Sequence, residues 1–196
     1  LAEMMLNVVF GGKGVGFVNM IMYAILGVFI CGLMVGRTPE FLGRKIEARE
    51  MKLIAVAILM HPFIILAPTA ISFMTHLGTD AFSNPSYHSL SQSLYEFTSS
   101  AANNGSGFEG LADNTLFWNV STGLVMLLGR YISIIALLAV AGSLAVKHKV
   151  VETQGTFRTD NKLFAGILTG TVLLIGALTF LPVLVLGPVA EFLTLN

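Results

Sequence analysis

Residues 99–110 read SSAANNGSGFEG, a run of small and polar residues in which Phe108 is the only large apolar side chain. Long apolar segments lie on both sides of it. A bilayer core tolerates irregular backbone only where protein buries it or where it lines a water-filled path. A loop dipping between two spanning helices could present carbonyl oxygens to a dehydrated cation. A second break, GGKGVG at 11–16, places four glycines in six positions and permits backbone angles that other residues avoid. The reading that follows treats the rest of the chain as the frame holding these two loops at one depth.

Composition supports a membrane frame. The 196 residues are 55% hydrophobic and 11% charged, with mean hydropathy +0.80, whereas soluble domains carry about 25% charged residues. The formal net charge is zero, so no overall basic field points to nucleic acid. The single cysteine, Cys31, lies in an apolar run and excludes a disulfide framework or a cysteine-based metal site. The chain opens LAEMML, inside an amphipathic pattern, and reads as the continuation of a longer chain.

Working outward, residues 1–10 predict a short helix ended by the 11–16 break. Residues 19–36 are apolar for about the minimum spanning length, with Gly32 and Gly36 spaced for close helix approach. A polar connector at 37–50 precedes a second span at 51–75, where Pro62 and Pro68 predict kinks. After a connector at 76–93, residues 94–103 are too short and too polar to cross a bilayer, and predict a re-entrant half-helix. The third apolar stretch, 116–146, would reach roughly 46 Å as a helix and must tilt or project. A connector at 147–162 leads to a last span at 163–186, with Pro182 and Pro188 marking its end and a tail at 189–196. The expected fold is an all-α membrane protein of about four full spans plus two re-entrant half-helices.

Orientation follows from lysine and arginine. Arg37, Arg44, Lys45, Arg49 and Lys52 cluster at the first connector, and Lys147, Lys149, Arg158 and Lys162 at the third. These nine of the eleven basic residues place connectors 37–50 and 147–162 in the cytoplasm. The loops and the C-terminal tail then face outside, near Asp80, Glu96, Glu109, Asp113 and Glu191, whose acidity suits a cation entrance. Two segments, 1–50 and 94–162, also share one order of parts: half-helix, glycine-rich break, apolar span, basic connector. Such internal repeats are common in membrane transport proteins. Two units cannot close a ring around an ion, so a four-fold pore needs two more.

The residues SSAANNGSGFEGL, the following FWN, and GRYISIIALLAVAGSL at 129–144 closely resemble the KdpA family. Its members are the potassium-binding, channel-like subunits of bacterial Kdp potassium-transporting ATPases. NVVFGGKGVGF at 7–17, GLMVGRTPEFLGRKIE at 32–47 and LTFLPVLVLGPVAEFL at 178–193 fit the same family, so the resemblance covers essentially the whole chain. It implies a member of the potassium transporter superfamily with four pseudo-repeats. Residues 1–50 would end the third, 51–162 would form the fourth, and 163–196 would be the final helix and extracellular tail.

The resemblance also implies the site. Asn103, Asn104, Gly105, Ser106 and Gly107 map onto the fourth filter loop, and Gly11, Gly12, Gly14 and Gly16 onto the third, with K+ placed at Asn104, Gly105 and Gly12. Lys13 is an unexpected charge there, either pointing behind the loop or tuning affinity. Arg130, fifteen residues into an apolar stretch, is costly at a helix centre. It reads as a pore or coupling charge beneath the ions, or else as a structural pairing. His61 reads as a helix-packing residue, and Glu96 and Glu109 as cation guides or plain solvated carboxylates. Trp118, Phe117 and Tyr95 read as interface anchors.

The implied partners are K+, the lipid bilayer, a catalytic P-type ATPase subunit and small accessory subunits, in a multi-pass protein of the bacterial plasma membrane. No cofactor is expected in this chain. ATP and Mg2+ would belong to the partner, so the chain would be a non-catalytic subunit, and neither a Walker A motif nor an aspartyl-phosphorylation motif occurs in it. The alternatives are a stand-alone potassium channel or symporter of the same superfamily and, last, a membrane enzyme using Arg130, His61 and Glu96, for which no nucleophile–base pair shares a depth.

Overall fold

Four of the apolar runs become four long helices in the computed structural model, which describes residues 2–8, 15–84, 87–151 and 159–194. In chain order the elements are α1 (Ala2–Leu6), α2 (Gly16–Val35), a two-residue hairpin of β1 (Glu40–Phe41) and β2 (Arg44–Lys45), α3 (Ala48–Met74), α4 (His76–Thr79), α5 (His88–Ala101), α6 (Leu116–Ala145) and α7 (Lys162–Thr194). Helices α2, α3, α6 and α7 hold 20, 27, 30 and 33 residues and are each long and apolar enough to cross a membrane. The protein is therefore an all-α, multi-span membrane protein. Leu124, Leu138, Leu174 and Leu178 stand exposed on the spans, where a bilayer or neighbouring helices replace water as the solvent.

Local chemistry sets the helix ends. Gly36 closes α2 in the left-handed region at φ 69°. Its N–H and that of Arg37 donate to the carbonyls of Leu33 and Gly32 at 3.2 and 2.8 Å, which satisfies two carbonyls left open by the helix end. Glu50 opens α3 by accepting from the N–H of Glu47 at 2.8 Å, half of a capping box. Thr115 caps α6, its hydroxyl accepting from the N–H of Trp118 at 3.4 Å.

Two boundaries differ from the sequence reading by six residues or more. Helix α7 continues through Pro182 and Pro188 to Thr194 and does not stop near 186. Each proline removes one backbone donor, but both flanks are apolar, and in a bilayer continued helix is the cheapest way to satisfy the remaining backbone groups. Helix α5 starts at His88, six residues before the expected 94, because its polar first turns are buried by protein. The connector at 76–93 thus contains α4 and the start of α5, and the one at 37–50 contains the hairpin and the first turn of α3.

Helix α3 is the central post, packing along α6 and against α5, while α2 packs on α7, α3 and α6. One apolar cluster joins Ile64 and Ile65 of α3, Leu94, Phe97 and Ala101 of α5, Trp118 and Val125 of α6, Phe180 of α7 and Met5 of α1. A second joins Met22, Ile25 and Val28 of α2, Ile54 and Ala57 of α3, and Ala136 and Val140 of α6.

At the end of the bundle carrying the basic connectors, an ionic clasp joins the start of α3 to the end of α6. The Glu50 carboxylate is fully buried. It accepts from Lys147 Nζ at 2.8 Å and from the Ser143 hydroxyl. Lys147 also lies 3.0 Å from Glu47 and donates to the Lys45 carbonyl at 3.1 Å. Arg44 donates to the Leu144 carbonyl, and the N–H of Val150 to that of Gly43 at 2.8 Å, so the hairpin is stitched to the end of α6. Burial opposes the Lys147 charge, yet the Glu50 and Glu47 carboxylates prevail and raise its ammonium above the ordinary lysine value. The stabilisation from this raised value is complete below the ordinary lysine pKa and is lost only as pH climbs through the raised one, so it is constant at neutral pH.

Lys147→Met strands a buried carboxylate. It should destabilise the protein by about 3 kcal/mol, read as an earlier thermal transition in detergent. Adding Glu50→Gln should recover most of the loss.

Candidate functional site: the loop after α5

Helix α5 is polar along most of its length and yet buried. Ser89, Gln92, Ser93, Glu96, Thr98, Ser99 and Ser100 are all withdrawn from the surface together with Leu94, Phe97 and Ala101. A buried polar group left unpaired costs about 1–3 kcal/mol, and the neighbours of α5 supply partners. Gln92 Nε2 donates to Ser83 Oγ at 2.7 Å and its Oε1 accepts from the N–H of Asn84 at 3.4 Å. Ser93 and Ser72 share a hydroxyl hydrogen bond of 2.7 Å, and Thr98 donates to the Leu94 carbonyl at 2.5 Å. On the apolar side the Phe97 ring stacks on Trp118 with centroids 5.1 Å apart. Trp118 is fully buried, so it is a core residue holding α5 and not the interface anchor that its position near the outer boundary suggested.

The chain leaves α5 by a left-handed turn. Asn103 has φ 54° and Gly105 φ 83°. A methyl group at Gly105 would meet nothing within 4 Å, so glycine is needed there for its backbone angle and not for room. Asn103 Nδ2 donates to the Met126 carbonyl at 3.1 Å and to that of Ala101 at 3.3 Å, which ties the start of the loop to α6. The N–H of Asn104 donates to the Ser99 carbonyl at 3.0 Å. Ser106 Oγ lies 3.1 Å from both Tyr95 OH and Ser99 Oγ. The N–H of Phe108 donates to Glu96 Oε2 at 3.1 Å, and the Phe108 ring meets Tyr95 edge-on at 5.6 Å. Asn103 and Ser106 are half-buried, while Asn104, Gly105 and Gly107 are exposed.

Glu96 is 7% exposed. Burial pushes its carboxyl above the usual carboxylate range, the Phe108 N–H opposes that shift, and the charge of Asp113 adds to it. Glu96 is therefore a component of the loop's support and not a solvated rim carboxylate, whereas Glu109 is exposed.

Gly129 of α6 is buried against the end of α5: a methyl group there would strike the Ala101 carbonyl. The next residue, Arg130, stands on an exposed side of α6. His61 is half-buried on α3, its Nε2 without a hydrogen-bond partner among the described residues.

Of the other sequence-predicted loop, Gly11, Gly12, Lys13 and Gly14 lie outside the described residues, and Gly16 is buried at the start of α2. Its flanks show a parallel with the α5 loop. Asn7, just after α1, is also left-handed at φ 45°, and its carbonyl accepts from Asn19 Nδ2 of α2 at 3.0 Å. In both places an asparagine amide ties the end of a short helix to the long helix that follows. Met5 of α1 shares a core cluster with Phe97 and Ala101 of α5. The sequence reading missed Asn7 and Asn19. It also passed over a signal for the parallel: 14–17 and 105–108 both read Gly-x-Gly-Phe.

Apolar spans packed around a polar helix too short to cross, which ends in a glycine-bearing loop, describe a polytopic membrane protein. The family model for KdpA, the potassium-transporting ATPase A subunit, matches residues 1–193. The chain belongs to that family. It is 72% identical over 196 residues to the potassium-binding subunit of a potassium-transporting ATPase from Geobacillus kaustophilus (strain HTA426). That alignment takes in 100% of this chain and 35% of the relative, so the chain spans about a third of the relative's length.

Gly129→Ala should force α6 away from α5 at a cost of about 1–3 kcal/mol. Thermal unfolding in detergent should register it as a lower transition temperature, with Gly142→Ala, where a methyl meets nothing within 4 Å, as the silent control.

Proposed function

We propose that this chain forms part of the potassium-binding and translocating pore of an ATP-driven potassium uptake pump. Main-chain oxygens of 103–107 would replace part of the ion's water shell, as in carbonyl-lined filters. Gly11, Gly12, Gly14 and Gly16 would contribute the neighbouring position, and further loops would complete the ring. The observation that carries the reading is the buried polar helix α5 ending in a left-handed loop whose side chains at 103 and 106 are tied back to α5 and α6, in a chain of this family. With those two side chains engaged by α5 and α6, the main chain around the exposed Gly105 is left open to meet an ion.

In this reading the unit 1–50 ends the third pore repeat and 51–162 forms the fourth, the loops open to the outside, and the connectors at 37–50 and 147–162 face the cytoplasm. Potassium enters past the acidic outer residues, sheds water at the loops and passes to a separate P-type ATPase subunit that hydrolyses ATP with Mg2+. Arg130, one residue from the contact of α6 with Ala101, is the charge beneath the ions that limits or couples their onward movement.

Gly105→Val cannot adopt φ 83° without strain. In the assembled pump it should weaken potassium affinity by about tenfold or more and reduce preference over rubidium and sodium. Unchanged affinity and preference would remove the loop from the ion path. Arg130→Gln should alter transport per ATP hydrolysed at normal expression, and simple loss of folded protein would instead assign Arg130 a structural role. Transport that persists when the partner's aspartyl phosphorylation is blocked would favour a stand-alone channel or symporter.

A further inference from the structure

The loop is held from behind by one face of α5, and the holding groups are specific. Tyr95, Glu96 and Ser99 lie within five residues of one another, at spacings that put 95 and 99 one above the other on a helix. Tyr95 and Ser99 hold the Ser106 hydroxyl from two sides, each at 3.1 Å. Glu96 takes the N–H of Phe108, two residues further along the chain, at 3.1 Å. A methyl group at Gly107, between these two anchor points, would lie 3.4 Å from the same Glu96 oxygen and 3.8 Å from Asp113 Oδ2. Residue 107 is thus closely backed by carboxylate. Gly105, by contrast, has no such backing: it is exposed, and a methyl there has open space around it, while Asn104, also exposed, is held by its own N–H on the Ser99 carbonyl at 3.0 Å. The far end of the loop is located by α5, the near end by the Asn103 side chain on the Met126 carbonyl of α6 and by the Asn104 N–H on the Ser99 carbonyl, and Gly105 between them is suspended.

We propose that Glu96 is a positioning residue that sets ion specificity by fixing the main chain at Phe108, and with it the spacing of the loop oxygens at 104–106. The inference rests on the reading of 103–107 as an ion-binding loop. Glu96 touches no ion in this scheme. A carboxylate oxygen is a stronger acceptor for a backbone N–H than a neutral group, and it holds the loop end from a nearly buried site where water does not readily substitute. Loosening that anchor lets the loop widen or collapse, and discrimination between cations of different radius suffers before binding as such does. Tyr95 and Ser99 fix the side chain of Ser106, and their loss shifts one anchor while Glu96 retains the other.

The test uses the full-length subunit assembled with its partner subunits, with potassium, rubidium and sodium as probes. Glu96→Ala removes the acceptor and should reduce potassium-over-rubidium and potassium-over-sodium discrimination by about tenfold, at normal complex yield. Glu96→Gln keeps an oxygen acceptor at the same reach and should restore discrimination to within about threefold. A residue with a merely structural role would lose yield in step with stability and leave the cation ratios of the surviving protein unchanged. Should Glu96→Ala fail to assemble, Glu96→Asp decides: its carboxylate is withdrawn by one methylene, and reduced ratios support the proposal. Wild-type ratios in either folded variant overturn it. Gly105→Val separates this inference from the reading beneath it. If Gly105→Val lowers potassium affinity while Glu96→Ala leaves the ratios intact, only the role of Glu96 fails. If Gly105→Val changes nothing, the loop is not an ion site and both fail.

Discussion

Burying a polar helix among apolar ones is the constraint on which this structure turns. Helix α5 carries serine, threonine, glutamine and glutamate into the middle of a bundle whose spans are largely Leu, Ile, Val and Phe. The hydroxyls of Ser93 and Thr98 and the amide of Gln92 are satisfied by Ser72, by the carbonyl of Leu94 in the same helix, and by Ser83 and Asn84. Its remaining face is pressed onto Trp118 and onto Ile64 and Ile65. A hydrophobic helix in the same place would need none of this matching. The cost of the polar sequence makes sense only if the end of the helix has a task that apolar residues cannot perform.

That end is held at three levels. Gly129 admits α6 to contact with the Ala101 carbonyl. Asn103 then ties the first left-handed residue to the Met126 carbonyl, and Glu96 receives the chain again at Phe108. Between the last two points lie residues whose side chains are small or absent. The opposite end of the bundle is organised on different terms, by charge. Glu50, Lys147, Glu47 and Arg44 bind the hairpin to α6.

Much of this was legible in the residue order. The four spans follow from apolar runs of membrane length. The break after α5 follows from Asn-Asn-Gly-Ser-Gly, and the family from motifs spread along the whole chain. Other features were not. The six extra residues of α5 look like a polar connector, since serine and glutamine in sequence say nothing of whether protein or water will surround them. Pro182 and Pro188 look like a stop, and only the apolar setting of α7 carries the helix through them. Trp118 looked like a boundary residue and proved to be the floor beneath α5. Glu96 looked like a rim charge until the fold closed Phe108 over it.

Sequence alone determined that this chain lives in a membrane, which segments cross it, and where the backbone must break. Those properties depend on local composition and on φ angles that glycine and asparagine reach most easily. Tertiary structure decided what stands behind the break. The longer ties of the loop, from Ser106 to Ser99, Phe108 to Glu96 and Asn103 to Met126, span 7 to 23 positions along the chain and end on α5 and α6. Hydrogen bonds over such separations form only after the helices have packed, and the one-dimensional pattern holds no signal for which carboxylate will meet which amide.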